Sequence, residues 1–277
     1  MPASPSDALR LARMVALFVP ASRPDRFGKA LASGADRVIL DLEDAIGVAE
    51  KASARKALAA ACPPGVIVRI NASGTPWHDE DVAVVRSLPA AAVMLPKSED
   101  PDTVAAVAAA LGGAVPLVAL IESAVGLAAA RAIARVPQVV RLAFGSIDFS
   151  ADLGCTESRE ALLSARSEVV LAARLAGQGG PIDGVTTRID HDDAIKADAA
   201  HAAGLGFAGK LCIHPRQVAP ACAGLAPPEE DVAWARGILA ALAAGGSVVK
   251  VDGAMVDTPV RLRAERILAR AGIAEAV

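Results

Sequence analysis

Short apolar and β-branched runs alternate with alanine-rich helical patterns along the whole chain of 277 residues, and this alternation limits the fold more than any other feature. Strands that are apolar on both faces and alternate with helices predict a parallel sheet covered by helices. The eight predicted strands are Val15–Val19, Arg37–Leu42, Val66–Ile70, Ala92–Leu95, Leu117–Ile121, Val139–Phe144, Ile182–Thr186 and Gly209–Ile213. Eight strand–helix units in this length predict an α/β fold, a (β/α)₈ TIM barrel, with a doubly wound sheet as the alternative.

The chain continues well beyond the eighth predicted strand. After Pro227–Pro228 the sequence predicts a helix over Glu229–Ala244, a short strand over Val248–Val251 and a final helix over Pro259–Ala271. This segment is too long to be the eighth barrel helix alone. We therefore predict a barrel over residues 1–220 and a C-terminal helical extension over residues 221–277. The extension forms a lid on the barrel or packs on a neighbouring subunit.

The composition excludes several classes of protein. Hydrophobic residues make up 53% of the chain and charged residues 21%, so a large core can form. The net charge is −3, aromatic residues are only 3% and Tyr is absent, which argues against nucleic acid as a partner. The N-terminus lacks the apolar core of a signal peptide, and we expect a cytoplasmic protein without a membrane span. The four cysteines form no CxxC pair, so we expect reduced thiols.

Polar residues gather where the predicted strands end. In a (β/α)₈ barrel the active site lies at the carboxyl ends of the strands. The polar residues at these positions are Ser22, Arg23, Asp41, Glu43, Asp44, Arg69, Asn71, Lys97, Glu122, Asp148, Thr186, Thr187 and His214. Carboxylates and cations that are scattered through the sequence should therefore meet at one rim.

Glu122 and Asp148 follow adjacent predicted strands. Two carboxylates at one barrel mouth repel each other, and a hard cation such as Mg²⁺ would remove that conflict because it takes oxygen ligands. The alternative is that each carboxylate caps the helix that follows it. Arg69 lies on a strand and needs an anionic partner, which is either Glu43 or Asp44 of the neighbouring strand or a substrate carboxylate.

The histidines are weaker candidates for catalysis. His214 ends a strand before Pro215, and we interpret it as a structural residue rather than a general base. His78, His191 and His201 fall on predicted helices or loops, where we expect surface positions.

Several motifs resemble one family closely. They are VPASRPDRFGKALASGADRVILDLEDAIGVAEKASAR at Val19–Arg55, VRIN at Val68–Asn71, LPKSE at Leu95–Glu99, LIESAVGL at Leu120–Leu127, FGSIDFSADLG at Phe144–Gly154, IDGV at Ile182–Val185, GFAGKLCIHPRQV at Gly206–Val218 and DGAMVDTP at Asp252–Pro259. Together they resemble the citrate lyase β-chain-like branch of the HpcH/HpaI aldolase family, whose relatives include malyl-CoA and citramalyl-CoA lyases. The likeness runs in order through nearly the whole chain.

This resemblance implies a set of roles. It implies Mg²⁺, with Mn²⁺ as an alternative, on Glu122 and Asp148, and an oxo-acid group held by Arg69. The DLEDA carboxylates Glu43 and Asp44 would support that shell. The resemblance also implies a homotrimer or a multiple of it, in which one subunit lends Asp257 to its neighbour. Contacts to the phosphates of coenzyme A are expected from Arg23, Lys29 and Lys97.

The activity implied by the resemblance is magnesium-dependent carbon–carbon bond cleavage. The substrate would be a 3-hydroxy-carboxylated acyl-CoA thioester, and the products an oxo-acid and an acetyl-CoA-type thioester. Asp257 would protonate the thioester enolate. The alternatives are a class II aldolase for free hydroxy-oxo-acids, an acyl-CoA thioesterase and a non-catalytic subunit. The motifs do not distinguish malyl, citramalyl and citryl thioesters.

Overall fold

The computed structural model describes residues 13–113, 115–245, 249–251 and 254–273. Its strands β1 to β8 are Met14–Pro20, Arg37–Asp41, Ile67–Arg69, Ala92–Leu95, Leu117–Ile121, Val139–Phe144, Ile182–Asp183 and Gly209–Cys212. Each strand pairs in parallel with the next, and β8 pairs with β1, so the sheet closes on itself. The predicted (β/α)₈ barrel is confirmed, and the doubly wound alternative is wrong.

Helices cover the outside of the barrel. Helices α1 to α9 are Phe27–Leu31, Lys51–Ala61, His78–Val85, Pro101–Ala110, Ala124–Ile133, Ser146–Leu153, Leu163–Leu175, Asp192–Leu205 and Val218–Leu225. Helix α6 was not expected from the sequence, and it carries Asp148 in its first turn. Within the described ranges, no helix has both the length and the apolar character that a membrane span requires. The four cysteines are free thiols.

The strand alternation divides the core into two layers. Val15 and Leu17 of β1 pack outwards against the helices, whereas Met14 and Ala16 belong to the barrel interior. The buried interior residues are Met14, Ala16, Ile39, Ile67, Ala92, Met94, Val118, Leu120, Val140, Ala143, Ile182 and Leu211. The same alternation, continued two residues further, brings Asp41, Arg69 and Glu122 to the inside of the rim. The barrel interior thus ends in charged groups.

The C-terminal extension forms an apolar cluster of its own. It contains α10 (Glu229–Gly245), the antiparallel pair β9 (Val249–Val251) and β10 (Ala254–Val256), and α11 (Thr258–Arg270). Its buried apolar residues are Ala235, Ile238, Val256, Ala264, Ile267 and Leu268. The boundary proposed between residues 220 and 221 falls inside α9, whose Val218, Ala221 and Leu225 pack in the outer barrel core. That the extension packs on the barrel or on a neighbouring subunit stays a prediction.

Candidate active site

A cavity of about 430 Å³ opens at the carboxyl ends of the barrel strands. Its charged lining residues are Asp41, Asp44, Arg69, Glu122 and Asp148, and its apolar walls include Phe18, Leu120, Phe144 and Leu211. Glu43 contacts this group through Arg69. The structure therefore brings together the carboxylates and the arginine that the sequence placed at one rim.

Arg69 is the centre of a buried cluster of carboxylates. Its Nε and Nη2 atoms donate to Oδ1 and Oδ2 of Asp41, both at 2.7 Å. Its Nη1 lies 2.9 Å from Oε2 of Glu43 and 3.7 Å from Oδ2 of Asp44, whose side chain is mostly exposed. Burial lowers the pKa of Arg69, but the three carboxylates raise it by more, so the guanidinium stays charged. Glu43 and Asp44, the partners expected from the sequence, both lie near Arg69, but the residue that binds it bidentately is Asp41.

Asp41 was placed at the rim from the sequence but was given no role in the site. Besides Arg69, its carboxylate accepts the backbone N–H groups of Glu43 at 2.9 Å and Ala45 at 3.1 Å. It therefore shapes the loop that carries the other acidic residues and holds Arg69 in place. One signal was available, because Asp41 follows Ile39 at the spacing of two that keeps side chains on one face of a strand.

A buried lysine supports the same loop from behind. The Nζ of Lys51 donates to the carbonyl oxygens of Leu42 (2.8 Å) and Glu43 (2.7 Å) and to Oδ1 of Asn71 (2.6 Å). Asn71 in turn donates its Nδ2 to Asp81 and to the Leu42 carbonyl. Burial lowers the pKa of Lys51, and the carboxylates around it oppose the shift. Lys51 lies on a helix with a polar pattern, so the sequence did not distinguish it from a surface lysine.

Glu43 holds its proton unusually firmly. Burial raises the pKa of this carboxyl to about 8, because Arg69 offsets only part of the cost and Asp44, Glu122 and Asp41 add to it. Its Oε2 is buried and, despite the short distance to Arg69, makes no well-aligned hydrogen bond among the described residues. Burial therefore favours the protonated form of Glu43 at neutral pH.

One carboxylate oxygen of Glu122, Oε1, binds a backbone N–H, and Glu122 also lines the cavity. Its Oε1 accepts the backbone N–H of Lys97 at 2.7 Å, and the Lys97 Nζ lies 3.9 Å away. Lys97 has φ of 45°, the left-handed region that a residue with a side chain adopts at a cost. Burial raises the pKa of Glu122 to about 7, Lys97 lowers it and Asp148 raises it. The strained backbone of Lys97 therefore serves to orient Glu122.

The pair Glu122 and Asp148 fits a hard divalent cation. The two residues follow the paired strands β5 and β6, and both line the cavity. Gly145 leaves the necessary room, because a Cβ there would lie 2.6 Å from Oε2 of Glu122. Within the described part of the chain no cluster of three or more His, Cys, Asp or Glu could hold a metal. A pair is enough for Mg²⁺, which keeps several waters and takes one or two carboxylates.

The helix-capping alternative is wrong for Glu122. Helix α5 is capped by Ser123, whose Oγ accepts the N–H of Gly126 at 3.1 Å. Asp148 lies in the first turn of α6, where no side chain caps the helix, and its negative charge suits the positive end of the helix dipole. Asp148 can therefore stabilise α6 and still face the cavity.

A groove of about 460 Å³ lies next to the cavity, along β1 and β8. The two share Phe18, Pro20 and Ile213, and the groove is also lined by Arg26 and Lys29. Arg23 lies outside the lining, and its Nε and Nη2 pair with the exposed Asp25 at 2.8 and 2.7 Å. Lys97 does not line the groove either, because it lies beside Glu122. Of the three expected coenzyme contacts, Lys29 alone lines the groove.

The histidines have structural positions, but two are less exposed than expected. His214 caps the short turn that follows β8, since its Nδ1 accepts the N–H of Arg216 at 3.2 Å. His191 is exposed, as predicted. His78 is buried, with Nδ1 2.8 Å from the carbonyl oxygen of Asn71, and the Nε2 of His201 is buried as well. The surface prediction was wrong for His78, which is buried because the Asn71 carbonyl offers it a partner, whereas His201 is half-buried with its Nε2 enclosed.

Asp257 does not line the cavity of its own chain. It is the N-cap of α11 in the extension, and its Oδ1 accepts the N–H of Val260 at 3.4 Å. The cap holds the carboxylate at the start of a helix beside the apolar cluster that includes Val256. Its predicted contribution to a neighbouring subunit stays a prediction.

The chain is similar to known proteins over nearly its whole length. The family model described as HpcH/HpaI aldolase/citrate lyase matches residues 14–215. A citrate lyase subunit beta-like protein of Mycobacterium tuberculosis is 38% identical over 265 residues, which cover 92% of this chain and 94% of that protein. A (3S)-malyl-CoA thioesterase of Cereibacter sphaeroides is 32% identical over 267 residues, which cover 92% of this chain and 93% of the relative.

The solved structures agree with the sequence relatives. The crystal structure of CitE from Mycobacterium tuberculosis in complex with magnesium, acetoacetate and coenzyme A matches with a TM-score of 0.84 at 37% identity. The match covers 94% of this chain and 98% of that chain, so it includes the C-terminal extension as well as the barrel. A citrate lyase beta subunit from the same organism, complexed with oxaloacetate and magnesium, matches 79% of this chain with a TM-score of 0.70 at 36% identity.

Proposed function

Because the chain belongs to the HpcH/HpaI aldolase/citrate lyase family, we propose that it is a magnesium-dependent lyase for 3-hydroxy-carboxylated acyl-CoA thioesters. The reaction would cleave a carbon–carbon bond to release an oxo-acid and an acetyl-CoA-type thioester, or run in the reverse direction as a condensation. The observation that carries the proposal is the meeting of Arg69, Glu122 and Asp148 in one cavity. This arrangement suits a substrate that presents a carboxylate next to a hydroxyl.

Arg69 would hold the substrate carboxylate. Asp41 takes the N–H of Nε and one N–H of Nη2, so a hydrogen on each Nη remains for a second anion. Burial raises the pKa of Glu43, the neighbour of Nη1, to about 8, which weakens its competition with a substrate carboxylate at neutral pH. A carboxylate bound end-on to the two Nη atoms would be fixed bidentately, which aligns the bond that breaks.

Glu122 and Asp148 would hold Mg²⁺, which when bound supplies a Lewis acid for the oxygens of the hydroxy-acid. The chain prepares this position in two ways. The N–H of Lys97 fixes Oε1 of Glu122, and Gly145 leaves Oε2 uncovered. Phe18, Leu120 and Phe144 line the cavity and keep bulk water from the reacting carbon atoms.

Asp257 of a neighbouring subunit would move the proton. In the cleavage direction it would protonate the thioester enolate, and in the condensation direction it would remove the α-proton of the thioester. The proposal rests on the position of Asp257 in the extension, outside its own cavity, and on the family resemblance around it. A homotrimer or a multiple of it would then be the active form.

The groove along β1 and β8 would take the coenzyme. It shares Phe18, Pro20 and Ile213 with the cavity, so a thioester whose carbonyl lies in the cavity would extend its pantetheine chain along the groove. Lys29 would contact the phosphates, and Arg23 could join after exchanging its exposed partner Asp25. A relative of this chain has been solved with magnesium, acetoacetate and coenzyme A, which supports this class of ligand.

One assay tests the proposal. Purified protein with Mg²⁺ is given malyl, citramalyl and citryl CoA esters, and free thiol, acyl-CoA product and oxo-acid are followed together. Oxo-acid with no free thiol is the expected outcome and shows a lyase. Free thiol as well would indicate the thioesterase activity for which one relative is named. Absence of all products would overturn the proposal.

Matched variants connect the assay to the site. Arg69→Lys keeps the positive charge but loses the bidentate fork, and we expect it to raise KM strongly. Arg131→Lys makes the same exchange at the protein surface and should leave the kinetics unchanged. Cleavage of free hydroxy-oxo-acids that is as fast as cleavage of the CoA esters would favour the class II aldolase alternative instead.

A further inference from the structure

A second cavity, of about 230 Å³, lies between the outer wall of the barrel and helices α7 and α8. It touches the active-site cavity at Ser146 and Val185 but has a different character. Four cationic side chains line it, namely Arg159, Arg166, Arg188 and Lys210, against the three carboxylates Glu157, Asp183 and Asp198. Nothing in the proposed lyase reaction uses them.

The floor of this cavity is a buried group of three charges. Asp183 on β7 and Lys210 on β8 stand opposite each other in the barrel wall. Oδ2 of Asp183 accepts from Nζ of Lys210 at 2.9 Å, and Oδ1 accepts from Nε of Arg166 at 2.9 Å. Two buried cations thus share one buried carboxylate, and the group carries an excess positive charge.

Arg166 has a donor to spare. Its side chain is 9% exposed, and within the described ranges its Nη1 is buried with no hydrogen-bond partner. Each oxygen of Asp183 accepts one cationic donor, and neither of them is hydrogen-bonded to Nη1 of Arg166. An unpaired N–H of a buried guanidinium is costly unless an acceptor enters the cavity.

A second unpaired nitrogen comes from another helix. Nε2 of His201, on α8, is buried and has no partner among the described residues. Burial is the main cause that lowers the pKa of this imidazole; Arg159 and Arg166 lower it further, and Asp183 and Asp198 oppose the shift. Asp198 on the same helix is not its partner, because the Asp198 carboxylate accepts from Arg159 at 2.9 Å and from the hydroxyl of Thr186 at 3.0 Å.

We propose that this cavity binds a small oxyanion such as inorganic phosphate. Arg166 Nη1 and His201 Nε2 donate to it from the two sides, and Arg188, which is exposed at the rim, adds positive charge. A water molecule would satisfy the two donors but would leave the excess charge of the floor uncompensated. An anion does both, and charge-assisted hydrogen bonds favour it further. The proposal is independent of the lyase activity.

Calorimetric titration of the full chain with inorganic phosphate, at constant ionic strength set by chloride, tests the proposal. We expect saturable binding of one phosphate per chain. Arg188→Gln should weaken it roughly tenfold or more, because a positive charge at the rim is lost, and His201→Gln should weaken it because a flexible amide replaces the rigid imidazole donor. Arg174→Gln is the matched control, because Arg174 lies exposed on the same helix as Arg166 but outside the cavity.

Two results would overturn the proposal. One is the absence of saturable phosphate binding to the unmodified protein. The other is binding that survives His201→Gln and Arg188→Gln but is lost in Lys29→Gln, which would place the phosphate in the groove along β1 and β8. Circular dichroism of each variant verifies that the fold is retained, and His201→Asn provides a second substitution if His201→Gln does not fold.

Discussion

Replacing Asp41 with Asn removes the charge that neutralises Arg69 while keeping the shape of the side chain. Asp41 is almost fully buried, and its two oxygens accept four hydrogen bonds from Arg69, Glu43 and Ala45. An amide offers an oxygen to one side only. Its NH₂ group would face two donors, and the guanidinium would lose its main counter-charge.

The magnitude follows from burial. Removing one partner of a buried ion pair costs about 3–5 kcal/mol, because the remaining charge stays desolvated. Glu43 lies 2.9 Å from Arg69 and can ionise in the variant, which recovers part of that cost. We therefore expect Asp41→Asn to lower the free energy of unfolding by about 3 kcal/mol.

Urea denaturation followed by circular dichroism measures this difference against a surface control. Arg131 and Glu168 form the same bidentate geometry at 2.6 and 2.9 Å, but the Arg131 side chain is 52% exposed. Glu168→Gln should cost less than ~1 kcal/mol, the usual range for exposed pairs. Equal losses in the two variants, or a larger loss in Glu168→Gln, would refute the argument that burial decides the energy.

Three further predictions concern ionisation and the proton. The pKa of Glu122 is about 7, and its carboxyl must lose its proton to bind Mg²⁺. We therefore expect the Mg²⁺ affinity to fall by up to ~10-fold per pH unit below pH 7. Calorimetry from about pH 6 to 8 measures this trend, which Glu122→Gln should abolish. Asp257→Asn should abolish turnover but keep Mg²⁺ and oxo-acid binding, and lost binding would contradict its assigned role. Glu43 has a pKa raised from 4.5 to about 8, so its contribution to stability is full below pH 4.5 and is lost as the pH rises through 8. Glu43→Gln should flatten that decline in urea melts, and an unchanged slope would show that Glu43 is not its source.

The fold was largely predictable because a (β/α)₈ barrel depends on local patterns of apolar residues along the sequence. Each strand is a short apolar run, each helix follows it, and the eightfold repeat leaves few architectures. Helix α6 was missed because its eight residues, Ser146–Leu153, are short and mixed in pattern. The strand over Ile182–Thr186 was predicted too long, since the backbone pairing of β7 stops at Asp183.

The candidate site was predictable as a set of positions but not as a set of contacts. Strand ends of a barrel meet at one rim, so Arg69, Glu122 and Asp148 could be grouped from the sequence. The partner of Arg69 could not be chosen, because Asp41, Glu43 and Asp44 are adjacent carboxylates. The choice depends on the direction in which each side chain leaves the loop, and for Asp41 the N–H groups of Glu43 and Ala45 hold that direction.

The amino-acid sequence alone determined the barrel, the rim at which its charges meet and the family to which it is similar, because these follow from local periodicity and short motifs. The tertiary structure alone decided which charges neutralise one another, that Lys97 orients Glu122, and that Arg166 and His201 face a common cavity with donors unpaired. Burial and long-range neighbours control hydrogen bonding and pKa, and both arise only when distant segments pack together.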